Sequence, residues 1–214
     1  MMDTIIELRN VKKRFREYVA LNDVSVSFAQ GKIHGIIGRN GSGKTVLMKC
    51  ICGLMHQDLG EIVVSGKKIG KDTDIAEGVG AIIEAPGFLN NYSGMKNLQF
   101  LAGIKRTIRK EEIAKHIELV GLDPKSKKHV GKYSLGMRQR LGIAQAIMEN
   151  QRILILDEPM NGLDQQGVED MRELFLMLKK QGKTILLASH SKEDIDVLCD
   201  EVYEMEHGTL KQVQ

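Results

Sequence analysis

Tryptophan is absent from the 214 residues, and aromatic side chains make up only 4% of them. That scarcity excludes a surface that stacks single-stranded bases on aromatic rings. An excess of one charge is missing too. Against 31 Lys and Arg stand 28 Asp and Glu, a formal net charge of +3, which is no footprint for nucleic acid. No apolar run approaches the roughly 18 residues needed to cross a bilayer. The opening MMDTIIELRN lacks the apolar stretch of a signal peptide. Cys50, Cys52 and Cys199 form no C-x-x-C pair, so neither a disulfide framework nor a zinc site is offered. The histidines show no H-x-x-x-H or H-E-x-x-H spacing. What is present is a hydrophobic fraction of 42% beside 28% charged residues, which supports a folded core. The length fits one large domain or two small ones. Composition therefore predicts a soluble, cytosolic, globular protein.

Short alternating segments open the chain. Ile5-Ile6-Glu7-Leu8 and Val24 to Phe28 have the period-two pattern of half-buried strands. Lys32 to Ile37 reads as a continuous apolar strand, Thr45 to Gly53 as a helix, and Glu61 to Val64 as a further strand. From about Gly94 to Gln151 the apolar residues fall at helical spacing, as in Ile113-Ile117-Val120, which predicts a helical insertion spanning about 85–150. The last third alternates: strand Arg152–Leu156, helix Gln165–Lys180, strand Thr184–Ala188, helix Ser191–Leu198, strand Val202–Met205. Strand–helix–strand order implies crossovers and a parallel sheet. The expectation is a single α/β domain over residues 1–214, with a β-rich amino-terminal edge.

The most specific short motif is Gly38-Arg39-Asn40-Gly41-Ser42-Gly43-Lys44-Thr45, which satisfies G-x-x-x-x-G-K-[ST] between a strand and a helix. Glycines let successive backbone N–H groups curl around anionic oxygens, and the helix that follows adds its positive dipole end. Lys44 brings a charge to the β- and γ-phosphates, and Thr45 a hydroxyl for Mg²⁺. This motif alone does not choose among kinase, GTPase, helicase and transport ATPase. Asp157 and Glu158 close the second buried strand, where the carboxyl ends of a parallel sheet face the ligand crevice. Asp157 is placed to hold the Mg²⁺ shell, and Glu158 to orient or deprotonate a water. A kinase would need no water-orienting carboxylate, so the pair favours hydrolysis.

Tyr133-Ser134-Leu135-Gly136-Met137-Arg138-Gln139-Arg140 lies between these motifs. It resembles the Leu-Ser-Gly-Gly-Gln signature of the ATP-binding cassette (ABC) ATPases, with Tyr133, Leu135 and Met137 as departures. Ser134 suits a helix N-cap, and with that helix's dipole it makes a second anion site. Asn161-Gly162-Leu163-Asp164 resembles the family's D-loop, and His190 its switch histidine. Phe15 matches the aromatic that stacks on adenine, with Tyr18 as the alternative stacker. The resemblance runs from about Ile5 to Gly208. Glu84 stands where the family usually has the Q-loop Gln. The run Glu84-Ala85-Pro86-Gly87-Phe88 resembles a subgroup linked to bacitracin- and lantibiotic-type export and immunity.

The resemblance implies a RecA-like P-loop NTPase core with an antiparallel β edge and a helical subdomain. It implies ATP contacts from Phe15, Gly38, Arg39, Asn40, Gly41, Ser42, Gly43, Lys44, Thr45 and Val46. Mg²⁺ would be held by Thr45, Glu84 and Asp157, and catalysis would rest on Glu158 and His190. Ser134, Leu135, Gly136 and Met137 would close on the ATP of a second ABC subunit, with Asp164 at the seam. The further partner would be an integral membrane permease on a separate chain, which would place the protein on the inner face of the cell membrane. Two other readings compete. A cassette acting on ribosomes or DNA usually has two cassettes or long coiled coils, and neither is seen. A P-loop kinase would lack the Ser134 segment and His190.

Overall fold

The computed structural model describes residues 3–214. In chain order the elements are β1 (Thr4–Phe15), β2 (Tyr18–Ala29), β3 (Ile33–Ile37), α1 (Lys44–Cys52), β4 (Leu59–Val64), β5 (Lys67–Lys68), β6 (Val79–Ile82), α2 (Gly94–Lys105), α3 (Lys110–Leu119), α4 (Leu135–Ile147), β7 (Ile153–Asp157), α5 (Gln165–Lys180), β8 (Thr184–Ala188), α6 (Lys192–Leu198), β9 (Glu201–Glu206) and β10 (Thr209–Gln212). They build two sheets. One is antiparallel, ordered β2-β1-β4-β5; the other is ordered β10-β9-β3-β8-β7-β6, with every neighbour parallel except the β9–β10 hairpin.

The parallel strands read as unbroken apolar runs because both of their faces are covered. Leu154, Leu156, Ile185 and Leu187 face the core shared with α4 and α5. Their neighbours Ile153, Ile155, Leu186 and Ala188 face the core shared with α1 and the antiparallel sheet. Leu47, Met48 and Ile51 of α1 are fully buried between the two sheets. The helix that leaves the phosphate loop is thereby clamped on both sides. Gly53, in the left-handed conformation, ends it by donating its N–H to the Cys50 carbonyl. On α5, Met171, Leu174, Phe175 and Leu178 form the buried stripe that their spacing predicts.

The helical insertion holds α2, α3 and α4, joined through Leu98, Ala102, Ile113, Ile117 and Leu141. It meets the parallel sheet where α4 crosses β6. A Cβ at Gly80 would lie 1.8 Å from the Ala146 carbonyl oxygen, so only glycine allows that approach.

The first two strands are longer than their alternation suggests, with 12 residues each. Their pairing shifts register between Leu8 and Val11, and Asn10 and Asp23 sit at φ 50° and 59°. Each such irregularity moves side chains to the opposite face and breaks the period-two pattern. Strands β5, β6 and β10 are additions to the sequence reading. They are two to four residues long, too short for periodicity to register.

Candidate active site

The phosphate loop joins β3 to α1, and its shape is set by glycines. Gly38, Gly41 and Gly43 take φ of 144°, 79° and 118°. A Cβ on Gly38 would stand 2.3 Å from the Met205 carbonyl oxygen, and one on Gly43 2.4 Å from that of Ala20. The loop is therefore pressed against β9 and β2. Lys44 Nζ folds back over it, donating to the carbonyls of Gly38 at 2.7 Å and Arg39 at 3.2 Å. Burial lowers the Lys44 pKa, and the charges of Glu158 and Asp157 work against that shift.

Thr45, on the first turn of α1, donates its hydroxyl to Asp157 Oδ2 at 2.6 Å. Asp157 is buried at the carboxyl end of β7. Glu158 follows at φ 51°, a left-handed conformation that is costly for a non-glycine residue. Its N–H donates to Ala188 O at 3.0 Å, and its carbonyl accepts from Gln139 Nε2 of α4 at 3.1 Å. The side chain is thereby turned toward His190. His190 Nε2 is 3.3 Å from Glu158 Oε1, and the His190 N–H donates to Glu158 Oε2 at 3.4 Å. The same Nε2 donates to Asn40 Oδ1 of the phosphate loop at 2.9 Å. Glu158 Oε1 is buried and, among the described residues, accepts no hydrogen bond; the nearest basic group is the His190 ring at 3.3 Å. Burial raises the Glu158 pKa above the ordinary glutamate value, and His190 opposes the rise.

One cavity of about 520 Å³ gathers Gly41 to Val46, Glu84, Leu135, Asp157, Glu158 and His190. Glu84 sits at φ 61°, and its Oε1 is 2.8 Å from Lys49 Nζ, one turn beyond Thr45 on α1. Sequence reasoning named Glu84 without this counter-ion. Positions 45 and 49 share a helix face, and that spacing was the available signal. Tyr18 also lines the cavity and donates its hydroxyl to the Gly41 carbonyl. Phe15 pairs with Tyr18 across the β1–β2 hairpin, 41% exposed, and is not among the cavity's lining residues. Lys13 Nζ lies 5.6 Å from the centre of its ring.

Ser134 caps α4, accepting from the Met137 N–H at 3.1 Å. Asp164 caps α5, accepting from the Gly167 N–H at 3.0 Å. The two caps meet through their neighbours. A Cβ on Gly136 would be 2.8 Å from Gly162 O, and one on Gly162 2.5 Å from a Leu135 methyl. Within this chain Ser134, Gly136 and Met137 stand outside the lining of the phosphate cavity, whereas Leu135 reaches it.

Among the described residues no group of three or more His, Cys, Asp or Glu side chains could hold a metal unaided. The oxygen donors of Thr45 and Asp157, already in contact, fit a Mg²⁺ that takes the rest of its shell from phosphate and water. Glu84 borders the same space with its carboxylate engaged by Lys49.

An anion cradle, one cation folded over it and a carboxylate in the same cavity form an arrangement suited to phosphoryl transfer. Fold and site together define a RecA-like P-loop nucleotide hydrolase with a helical subdomain. The ABC transporter family profile matches residues 21–161. An uncharacterised ABC transporter ATP-binding protein of Bacillus subtilis, YybJ, is 42% identical over 207 residues, covering 97% of this chain and 95% of that protein. The bacitracin transport ATP-binding protein BcrA of Enterococcus faecalis is 39% identical, covering 98% of this chain and 69% of its own. A dimeric ATP-binding cassette in a post-hydrolysis state, bound to ADP and Pi, superposes with a TM-score of 0.86 at 20% identity over 98% of this chain and 99% of that one. The chain belongs to the ABC transporter family, as its ATP-binding, ATP-hydrolysing component.

Proposed function

We propose that two copies of this cassette, or one copy and a paralogue, close around two ATP molecules and drive a separate membrane permease that exports, or confers immunity to, a peptide antibiotic. The observation that carries the catalytic part is Glu158, held at positive φ beside His190 and lining one cavity with the phosphate loop. Gly41 to Thr45 and Lys44 bind the phosphates, with Val46 behind them. Thr45 and Asp157 hold Mg²⁺, with Glu84 beside them. The metal, when bound, neutralises phosphate charge and orients the γ-phosphoryl group. Glu158 takes the proton of the attacking water, and His190 holds Glu158 and the loop's Asn40 in one arrangement. Phe15 stacks the adenine.

Ser134, Gly136 and Met137, at a capped helix start, lie outside the lining of this chain's own phosphate cavity, whose edge Leu135 reaches. That placement supports their use on a second subunit's ATP, with Asp164 at the seam. The fold-matched cassette is itself a dimer. Permease docking is supported at the start of the insertion. Leu89, Tyr92, Phe100 and Ile104 expose 41–78% of their surface. Buried Asn97 preforms that loop by accepting from Leu89 N–H at 2.7 Å and donating to the Leu89 and Ser93 carbonyls. No helix among the described residues is long and apolar enough to cross a membrane. The peptide-antibiotic class rests on similarity to the bacitracin transport protein. The site then acts at the inner face of the cell membrane.

The test is Glu158→Gln. It keeps the shape and removes the base, so it should bind ATP, accumulate as a dimer on sizing chromatography and lose turnover. A monomer with normal hydrolysis would overturn the reading.

A further inference from the structure

His190 stands between two serines whose hydroxyls are both committed. Ser189 is buried at the end of β8; its Oγ donates to Asp194 Oδ2 at 3.3 Å and accepts the Ser191 N–H at 3.1 Å. Ser191 caps α6, its Oγ accepting the Asp194 N–H at 3.3 Å. Asp194 is itself 4% exposed, and a carboxylate so buried must be paired. Its partner comes from another helix. Arg172 of α5 donates from both Nε and Nη2 to Asp194 Oδ1, the Nε bond being 2.8 Å, and from Nη1 to Glu193 Oε1 at 2.9 Å. A planar guanidinium held at three nitrogens fixes orientation as well as distance.

Arg172 lies two turns into the helix that Asp164 begins. It also borders, with Glu158, Asn161 and Ser189, a cavity of about 400 Å³ between that helix start and the His190 loop. The loop carrying His190 is thus fastened to α5 from one side, while its ring faces Asn40 and Glu158 on the other.

We propose that Arg172 is a positioning residue for hydrolysis: through Asp194 and Ser189 it sets the loop that carries His190 and ties that setting to the helix beginning at Asp164. Any displacement of the first turn of α5 is then carried to His190 by a rigid ion pair instead of being absorbed by a loop. The inference rests on the catalytic part given to His190 above and adds the element that aims it.

Two mild variants test it. Ser189→Ala removes only the hydroxyl link, and Arg172→Lys keeps the charge but not the fork. In each, kcat for ATP should fall about tenfold to a hundredfold, the range expected when a reacting group is misplaced by about 1 Å. KM should stay within twofold, because the phosphate loop is untouched. The His190 ring signal, resolved among the 6 histidines by selective labelling and NMR, should shift or broaden while the other five stay in place. Wild-type kcat with an unmoved His190 signal in both variants would overturn the proposal. So would a loss of kcat accompanied by shifts in every histidine, which marks general loosening. His190→Ala separates the two levels: if it hydrolyses ATP at the wild-type rate, the role of His190 fails first, and if it is impaired while both variants stay normal, only the role of Arg172 fails.

Discussion

Replacing Gly43 by alanine asks the phosphate loop for something its geometry forbids. The residue sits at φ 118° and ψ −2°, where an L side chain costs on the order of 1–3 kcal/mol. The added methyl would also stand 2.4 Å from the Ala20 carbonyl oxygen and 2.8 Å from the Met205 methyl. The methionine end can swing away. The carbonyl is part of β2 and cannot. Restoring ordinary carbon–oxygen contact requires the loop to move by about 1 Å. Its N–H groups would then miss the phosphate oxygens, and ATP affinity should fall at least about tenfold, with turnover reduced on the order of a hundredfold. Gly31→Ala is the control. Gly31 lies at the other end of β3, at φ 76° with nothing among the described residues within 4 Å of the added Cβ. It should lose about 1–2 kcal/mol of stability and keep its nucleotide affinity. Fluorescent-nucleotide titration together with thermal melts reads both effects. Equal ATP binding by Gly43→Ala and wild type would refute the packing account of the loop.

Glu84→Gln should alter stability by less than about 1 kcal/mol, since its pair with Lys49 is largely exposed, yet change the ATPase rate. If rate and transport both stay unchanged, Glu84 has no special role. The acid limb of kcat/KM, which reports the free enzyme, should fall above the ordinary glutamate range near 4.3, because burial raises the Glu158 pKa and the base is lost as pH drops through that raised value. A limb at or below that range, with the fold intact by circular dichroism, would contradict Glu158 as the base. The thiols of Cys52 and Cys199 are pushed up to about 12 and that of Cys50 to about 11 by burial. At pH 8 about one in a thousand or fewer would be ionised, so a thiol reagent should label the native protein slowly and the denatured protein at once. Rapid native labelling at any of the three would show that the local packing opens.

The chemistry of this protein is local in sequence. Gly38 to Thr45 is one continuous segment, and its glycines announce a backbone that side chains could not follow. Asp157 and Glu158 end an apolar run, and a strand buried on both faces has a carboxyl end that opens on the crevice. Those features gave the class of reaction and the α/β core by themselves, and helix periodicity gave the insertion. Family resemblance placed His190, Ser134 and Asp164, which as isolated residues carry no signal.

Tertiary structure decided what depends on separation along the chain. Asn40 meets His190 across 150 positions, Thr45 meets Asp157 across 112, and Lys49 meets Glu84 across 35. No local spacing encodes such pairs, because they exist only once β3, β8, β7 and β6 lie side by side in the order the crossovers impose. The same holds for Arg172, which reads as a polar residue on an amphipathic helix until Asp194 is buried beneath it. The sequence alone thus determined which groups were available for phosphate chemistry. The packing of α1 between two sheets, and of α5 against α6, determined which of them touch, since only folding brings distant charges into surroundings where each must find a partner.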